Sequence, residues 1–600
     1  MEENENLIEK YKQLAEKNNL LCMKHKKILF TLSLLRLIVF AGGIGIAIVG
    51  FTLSPEAGII SVILTIILFL YLLNRYEIHS ERKEFFGNLE TINRNEINAL
   101  SGDLSPYING NRWINTDHDF SNDIDLFGQD SLFHFLNRTV TGQGRDTLAH
   151  WLSQPYGISG EIKQRQEAIS ELSSKTEWRQ EFMAHGIGKS LEKEDIEGLL
   201  DWLTDKSRFL SSPFLKIAIW LFPVLAFTSL LLLIAGWIPY PVFTLFFLIN
   251  LLFVLAEIRN TGKIHMQVSK KHEFLSSLSR LLSSFEKEPF KAVILSDLKS
   301  KISSGELSAV NRIRKLSRII QSFDSRLNLF VGFILNGLLL WDFHCIRSLE
   351  KWKEESKDQF PVWLVQIGEI DAFISLANFA FNNQDYCYPV LSGHGIIFSA
   401  SRIGHPLIKR DKRVCNDFII NGRGKVFIIT GANMAGKSTF LRTVAVNFIL
   451  AMTGAPVCAI EFKCTPLKLF TSMRTTDSLT HNESYFYAEL KRLKTLKTRL
   501  EEGEDVLFIL DEILKGTNSV DKSNGSRLFM KKIIELNGTG LIATHDTSLG
   551  DMEKEYPGII INKCFEIEID GENISFDYKL QSGITQKMNA ALLMKQMGIA

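Results

Sequence analysis

The chain has 600 residues, 46% of them hydrophobic, and a formal net charge of +1. That length calls for several domains, and the near-neutral balance excludes a protein held to nucleic acid by bulk basicity, while leaving room for local basic patches. Seven scattered cysteines with no C-x-x-C pair argue against a disulfide scaffold or a cysteine metal site and suit a reducing, cytosolic setting.

In chain order, residues 1–27 read as a charged helix. Nearly uncharged apolar runs follow at Leu37–Leu53 and Gly58–Leu73, joined by a short turn containing Pro55. Each approaches the ~20 residues that span a bilayer, so residues 28–80 are expected to form a transmembrane helical hairpin. Residues 81–210 and 261–384 carry helical patterning and read as two parts of an all-α core or lever. Between them, Ile217–Trp237 and Val242–Ala256 turn at Pro239–Pro241 and predict a second hairpin over residues 211–260.

Lys24, Lys26, Lys27, Arg75, Arg82 and Lys83 flank the first hairpin, and Lys206, Arg208, Lys216, Arg259 and Lys263 the second; neither turn carries Lys or Arg. The positive-inside rule places both turns outside and everything else in the cytoplasm. The expectation is a multi-pass membrane protein of four helices with the lipid bilayer as a partner. A fifth run, Leu327–Trp341, is shorter and contains Asn328 and Asn336; it reads as a buried soluble helix. The cluster Arg312, Arg314, Lys315 and Arg318 is either a solvated helix face or a contact to a phosphate backbone.

From about Tyr386 short strands alternate with helices, which predicts an α/β domain over residues 385–600 with a mainly parallel sheet. After the apolar run Val426–Ile429 come Gly431, Ala432, Asn433, Met434, Ala435, Gly436, Lys437, Ser438 and Thr439. This is the G-x-x-x-x-G-K-S phosphate-binding loop, whose glycines let backbone N–H groups turn inward onto phosphate oxygens at a helix N-terminus. Lys437 is expected to reach the β- and γ-phosphates of ATP, and Ser438 to hold Mg²⁺. Asp511, ending the run Val506–Leu510, would hold the metal through water. Glu512 would orient or deprotonate the attacking water, and His545, after Leu541–Ile542 and Thr544, would sense the γ-phosphate. The expected activity is Mg²⁺-dependent ATP hydrolysis, with Glu512, Lys437 and His545 as its catalytic residues.

TGANMAGKSTFLR, LFILDEILKGTNSVD and LIATH together resemble the ATPase domain of the MutS family of DNA mismatch-repair proteins. Gly404–Leu407, Asn416-Asp417, the NESYFYAEL segment and Tyr578–Leu580 with Gly583 add local matches. DLFGQDSLFHFLNRTVTGQGRDTLAHWLSQP, from Asp125, resembles the start of the family's helical core. The resemblance implies an ABC-like P-loop ATPase domain behind a helical lever. It also implies a homodimer in which Ser484 of one subunit approaches the γ-phosphate of the other and Asp521 lies at the same seam. On the residues alone, Ser484 also reads as an ordinary helix N-cap and Asp521 as a first-turn acid.

Some features depart from the family. Ala432 and Ala435 replace Pro and Gly, Leu514-Lys515 replaces Gly-Arg, and Arg413 stands near the place of an adenine-stacking aromatic. The family's mismatch-reading domain has no counterpart, its place being taken by the first hairpin. Two functions fit: a membrane-anchored MutS-like ATPase that binds double-stranded or branched DNA without reading a mismatch, or a membrane scaffold or regulator that couples nucleotide state to a membrane or protein partner.

Overall fold

A computed structural model describes residues 2–155, 157–189, 193–205, 213–269, 271–303, 308–392, 395–474, 485–515, 518–570 and 573–586. It opens with two very long helices, Glu2–Leu53 and Pro55–Ser101. The first runs unbroken through residue 27, where the charged and apolar segments were expected to divide, because nothing between Lys24 and Leu37 breaks a helix. The only break is at Ser54, whose hydroxyl accepts the Ala57 N–H while Pro55 occupies the first helical turn. Inside the apolar half of this first hairpin, small residues set the spacing: a Cβ on Gly43 would meet Thr65, and one on Gly58 would meet Phe51. Outward-facing Leu37, Ile44, Ile48, Ile60, Leu64 and Ile67 are exposed.

The charged halves of the same two helices pack onto the core as a stalk. The Tyr11 hydroxyl donates to Asn382 Oδ1 (2.8 Å), Asn382 Nδ2 donates to Glu96 Oε2 (2.9 Å), and Arg138 Nε donates to Glu96 Oε1 (2.5 Å). Tyr107 adds a further hydroxyl to Glu96 Oε1, and all but Tyr107 are buried among the described residues. The joint brings together the N-terminal helix, its partner, the core and the end of the helix Phe360–Asn382. That helix is apolar and long enough to cross a membrane by composition, but it is enclosed by protein and serves as the spine of the core.

The second apolar pair is shorter and jointed. Pro213–Ile234 meets the length and hydropathy expected of a span, whereas Tyr240–Ala256 does so only with its continuation Ile258–Ser269, from which it bends by 64°. The run Leu327–Trp341 departs from expectation. It forms the helix Leu329–Leu339, whose Gly332, Asn336 and Gly337 are buried against its neighbours while Leu329 and Phe330 face outward. Its two asparagines, which favoured a soluble helix, are consumed locally. Asn328 caps the helix by accepting the Phe330 and Val331 N–H groups, and Asn336 accepts the Asp342 N–H.

The C-terminal domain is built on a six-stranded sheet. From one edge its strands are Leu580–Ser582, Ile560–Phe565, Val426–Gly431, Thr539–Thr544, Val506–Asp511 and Lys468–Ser472; all neighbours are parallel except the first pair. The three central strands are buried almost throughout, as strands covered on both faces must be. A smaller four-stranded mixed sheet carries Ile396–Ile403 and Asn416–Asn421. The core plugs into the edge strand: the Thr471 N–H donates to the Asp119 carbonyl (2.9 Å), Arg499 makes two bonds to the Asp119 carboxylate (2.6 and 2.9 Å), and Arg492 pairs with Asp123 (3.3 Å).

Candidate nucleotide site

The phosphate-binding loop lies where the sequence places it, between the strand Val426–Gly431 and the helix Lys437–Thr453. Gly436 precedes the helix with φ of 103°, and a Cβ there would come 3.0 Å from the Tyr578 ring, so both the backbone and the close approach require glycine. Met434 takes a left-handed φ of 66° and is exposed. Lys437 is buried, and its Nζ donates to the Gly431 and Ala432 carbonyls, both at 2.8 Å. Burial pushes its ammonium down to about 8, opposed by the charge of Asp511. Ser438 Oγ donates to Asp511 Oδ2 at 2.5 Å, which brings the two expected metal-holding groups together across the mouth of the sheet.

Glu512 and His545 extend the same cluster. Glu512 has a left-handed φ of 54°, held by its N–H on the Ala543 carbonyl (2.9 Å). His545 Nε2 lies 2.7 Å from Glu512 Oε1 and its Nδ1 3.0 Å from the Gly431 carbonyl. Burial, then the nearby Lys437, lower its pKa, so the neutral ring has a single N–H for two acceptors. The ring therefore chooses between the Glu512 carboxylate and the Gly431 carbonyl of the phosphate loop. Together Lys437, Ser438, Asp511, Glu512 and His545 line a cleft of about 640 Å³, joined by Asn433, Met434, Gly436 and Thr439.

Glu489 was not singled out from the sequence. It sits on the helix Tyr485–Glu501, is buried, and accepts the Leu514 N–H (2.5 Å) on one oxygen and the Lys515 N–H (3.0 Å) on the other. Leu514 is itself left-handed, with φ of 62°. Glu489 thus clamps the strained turn that follows Glu512, at the point where Leu514-Lys515 departs from the family's Gly-Arg. Its only sequence signal was the acid inside NESYFYAEL.

The far end of the cleft is lined by Ile403, Ile408, Val414, Phe440, Phe565 and Tyr578, the apolar character that a purine ring needs. Arg413 is engaged elsewhere: it donates to the Ile408 and Pro406 carbonyls and to Cys458 Sγ. The exposed aromatic over the loop is Tyr578, anchored by Asn416, which donates to its carbonyl (3.1 Å) and accepts the Leu580 N–H (2.8 Å). Ser484 lies outside the described residues. Asp521 is in the first turn of the helix Ser519–Glu535, its N–H on the Asn518 side chain (2.9 Å), and is exposed. Within one subunit it does what a first-turn acid does.

A strand–loop–helix with an acid pair on the next strand but one defines a P-loop nucleotide-binding domain joined to a helical core. Known proteins sharpen this. The family model for MutS domain III matches residues 114–419 and that for MutS domain V residues 427–597. The DNA mismatch repair protein MutS of Chlorobium phaeovibrioides is 25% identical over 505 residues, covering 76% of this chain and 55% of its own. That of Persephonella marina is 26% identical over 518 residues, covering 79% and 57%; that of Thermotoga maritima is 30% identical over 237 residues, covering 39% and 29%. The chain belongs to the MutS family. It spans about half the length of those two longer-matching relatives.

Proposed function

We propose that this protein is a membrane-anchored ATPase that hydrolyses ATP with Mg²⁺ at the interface of a homodimer and couples the cycle to double-stranded or branched DNA. The observation that carries the enzymatic part is the convergence of Lys437, Ser438, Asp511, Glu512 and His545 on one cleft. The residues fit a nucleotide: a helix N-terminus and a buried cation face the phosphate end, an alcohol and a carboxylate meet where a cation is held, and apolar walls close the base end. Mg²⁺ there would neutralise phosphate charge. Lys437 leaves the two carbonyls for phosphate oxygens, Glu512 orients water, and His545 shifts its N–H as the γ-position fills. Ser484 and Asp521 would complete the site from the partner subunit.

The anchoring part is supported by the exposed apolar faces of both hairpins, far larger than a soluble surface carries, and by the charge pattern of their flanks. The DNA part is supported by family membership. A second reading, a membrane scaffold or regulator, is favoured by the stalk joint, because Tyr11, Glu96 and Asn382 tie the first hairpin directly to the spine helix.

The test is ATP hydrolysis by the detergent-solubilised protein with mismatched, perfect and branched duplexes across a salt series, with Glu512→Gln as the blank. Stimulation that weakens steeply with salt supports the DNA reading. Turnover indifferent to every duplex rejects it and favours the membrane partner. Equal turnover in Glu512→Gln and wild type rejects Glu512 as the water-orienting residue.

A further inference from the structure

Beside the second hairpin the structure holds an apolar element whose role is not explained by the core. The helix Leu329–Leu339 runs alongside Tyr240–Ala256. Phe333 packs on Phe247 (5.2 Å), Asn250 Nδ2 donates to the Gly337 carbonyl (2.8 Å), and Phe343 packs on Phe253 (5.1 Å). These pairs advance together, so the two helices lie side by side in the same direction. The approach is close: a Cβ on Gly337 would meet the Phe247 ring at 2.2 Å.

The faces turned away from this contact are apolar and bare. Leu329 is 89% exposed and Phe330 74%. The polar groups at the ends are engaged within the segment, although Asn328 itself is exposed. Asn328 and Asn336 are spent on backbone N–H groups, and Arg326 turns its guanidinium to Asp342 (3.3 Å) and Thr261 (3.4 Å). A segment with satisfied backbone ends, internally paired charge and outward Leu and Phe meets the requirements of hydrocarbon rather than water. Its 11 residues rise about 16 Å, roughly half the ~30 Å hydrocarbon thickness.

We infer that Leu329–Leu339 is a re-entrant wedge that enters the bilayer from the cytoplasmic side beside the second hairpin, so that the partner of its outer face is lipid acyl chain. This rests on the membrane reading of the hairpins proposed above. The flanking helices Ala309–Asp324 and Trp341–Ser356 belong to the core, so the lever itself has a foot in the membrane, separate from the stalk of the first hairpin.

The test uses the full chain in liposomes with Cys22, Cys387 and Cys415, the three cysteines not fully buried, replaced by Ser. Spin labels are placed at Leu329→Cys, at Leu231→Cys in the hairpin, and at exposed Val293→Cys on the core. The wedge predicts that positions 329 and 231 collide with oxygen in preference to a water-soluble nickel chelate, and that position 293 does the reverse. A water-like label at 329 with a lipid-like label at 231 overturns the wedge and leaves the hairpin intact. A label at 329 shielded from both reagents overturns it in favour of a second protein copy. A water-like label at 231 rejects the membrane reading, and the wedge with it.

Discussion

Two polar clusters, the half-buried nucleotide cleft and the buried stalk joint, are each held by charged side chains and end in opposite states. At the joint, Tyr11, Asn382, Glu96, Tyr107 and Arg138 meet one another and form a closed set. In the cleft, Lys437 borrows two backbone carbonyls, and one His545 N–H faces two acceptors across an open volume. Buried charges satisfied by each other hold geometry; partly buried charges satisfied provisionally beside a cavity are ready to change partners.

The largest effect expected from this contrast is chemical. Glu512→Gln should lower turnover by about 10²–10⁴-fold, the scale of a lost water-activating group, with unchanged thermal unfolding of the solubilised protein. Loss of folding instead would make the cleft a structural cluster like the joint. At the joint the reverse should hold. Glu96→Gln leaves Arg138 buried without its counter-charge and should cost about 3–5 kcal/mol of stability, read from denaturant unfolding, with nucleotide affinity preserved.

Glu489 lies between the two cases, its charge spent on the turn that follows Glu512. Glu489→Ala should reduce kcat roughly tenfold, on the order of 1.4 kcal/mol, with nucleotide Kd unchanged. Glu489→Gln, which keeps one acceptor oxygen, should recover part of the rate. A fall in nucleotide affinity equal to the fall in kcat would show that Glu489 shapes the cleft rather than the turn.

The smallest effect is a pH slope. Burial holds Lys437 at about 8, and an arriving phosphate favours its charged form, so binding takes up a proton once pH exceeds that value. Affinity should then weaken by about tenfold per pH unit above 8, measured by calorimetry in buffers of different ionisation enthalpy. Lys437→Arg, always charged, should flatten the slope; an unchanged slope would assign the proton to another group.

The cleft was legible because most of it is local in the chain. A glycine loop, a Lys-Ser pair and acids ending apolar strands state their chemistry within a few residues, and strand order brings their ends together. Glu489 was hidden because its partners, Leu514 and Lys515, are backbone N–H groups that leave no side-chain signature. In the sequence Tyr578 stands only as part of a terminal motif, and the turn that lays it over Gly436 depends on Asn416, far earlier in the chain. Arg413 shows the limit from the other side: its position suggested a base contact, and its guanidinium is engaged by carbonyls and a thiol.

By itself the sequence determined the P-loop, the acid pair and histidine after it, the helical character of the middle, and two long apolar hairpins, because propensity, periodicity and turn chemistry act between near neighbours. Only the tertiary structure decided that the charged N-terminal helix and the first apolar run are one rod, that Tyr11 meets Asn382 across 371 positions, and that one apolar run leaves its expected place while another of like composition stays inside the core. Phe360–Asn382 is enclosed as the spine, and Leu329–Leu339 is bare on its outer face. Hydrophobicity records only that a segment avoids water. Whether protein or another apolar phase covers it is settled by which distant helices reach it first.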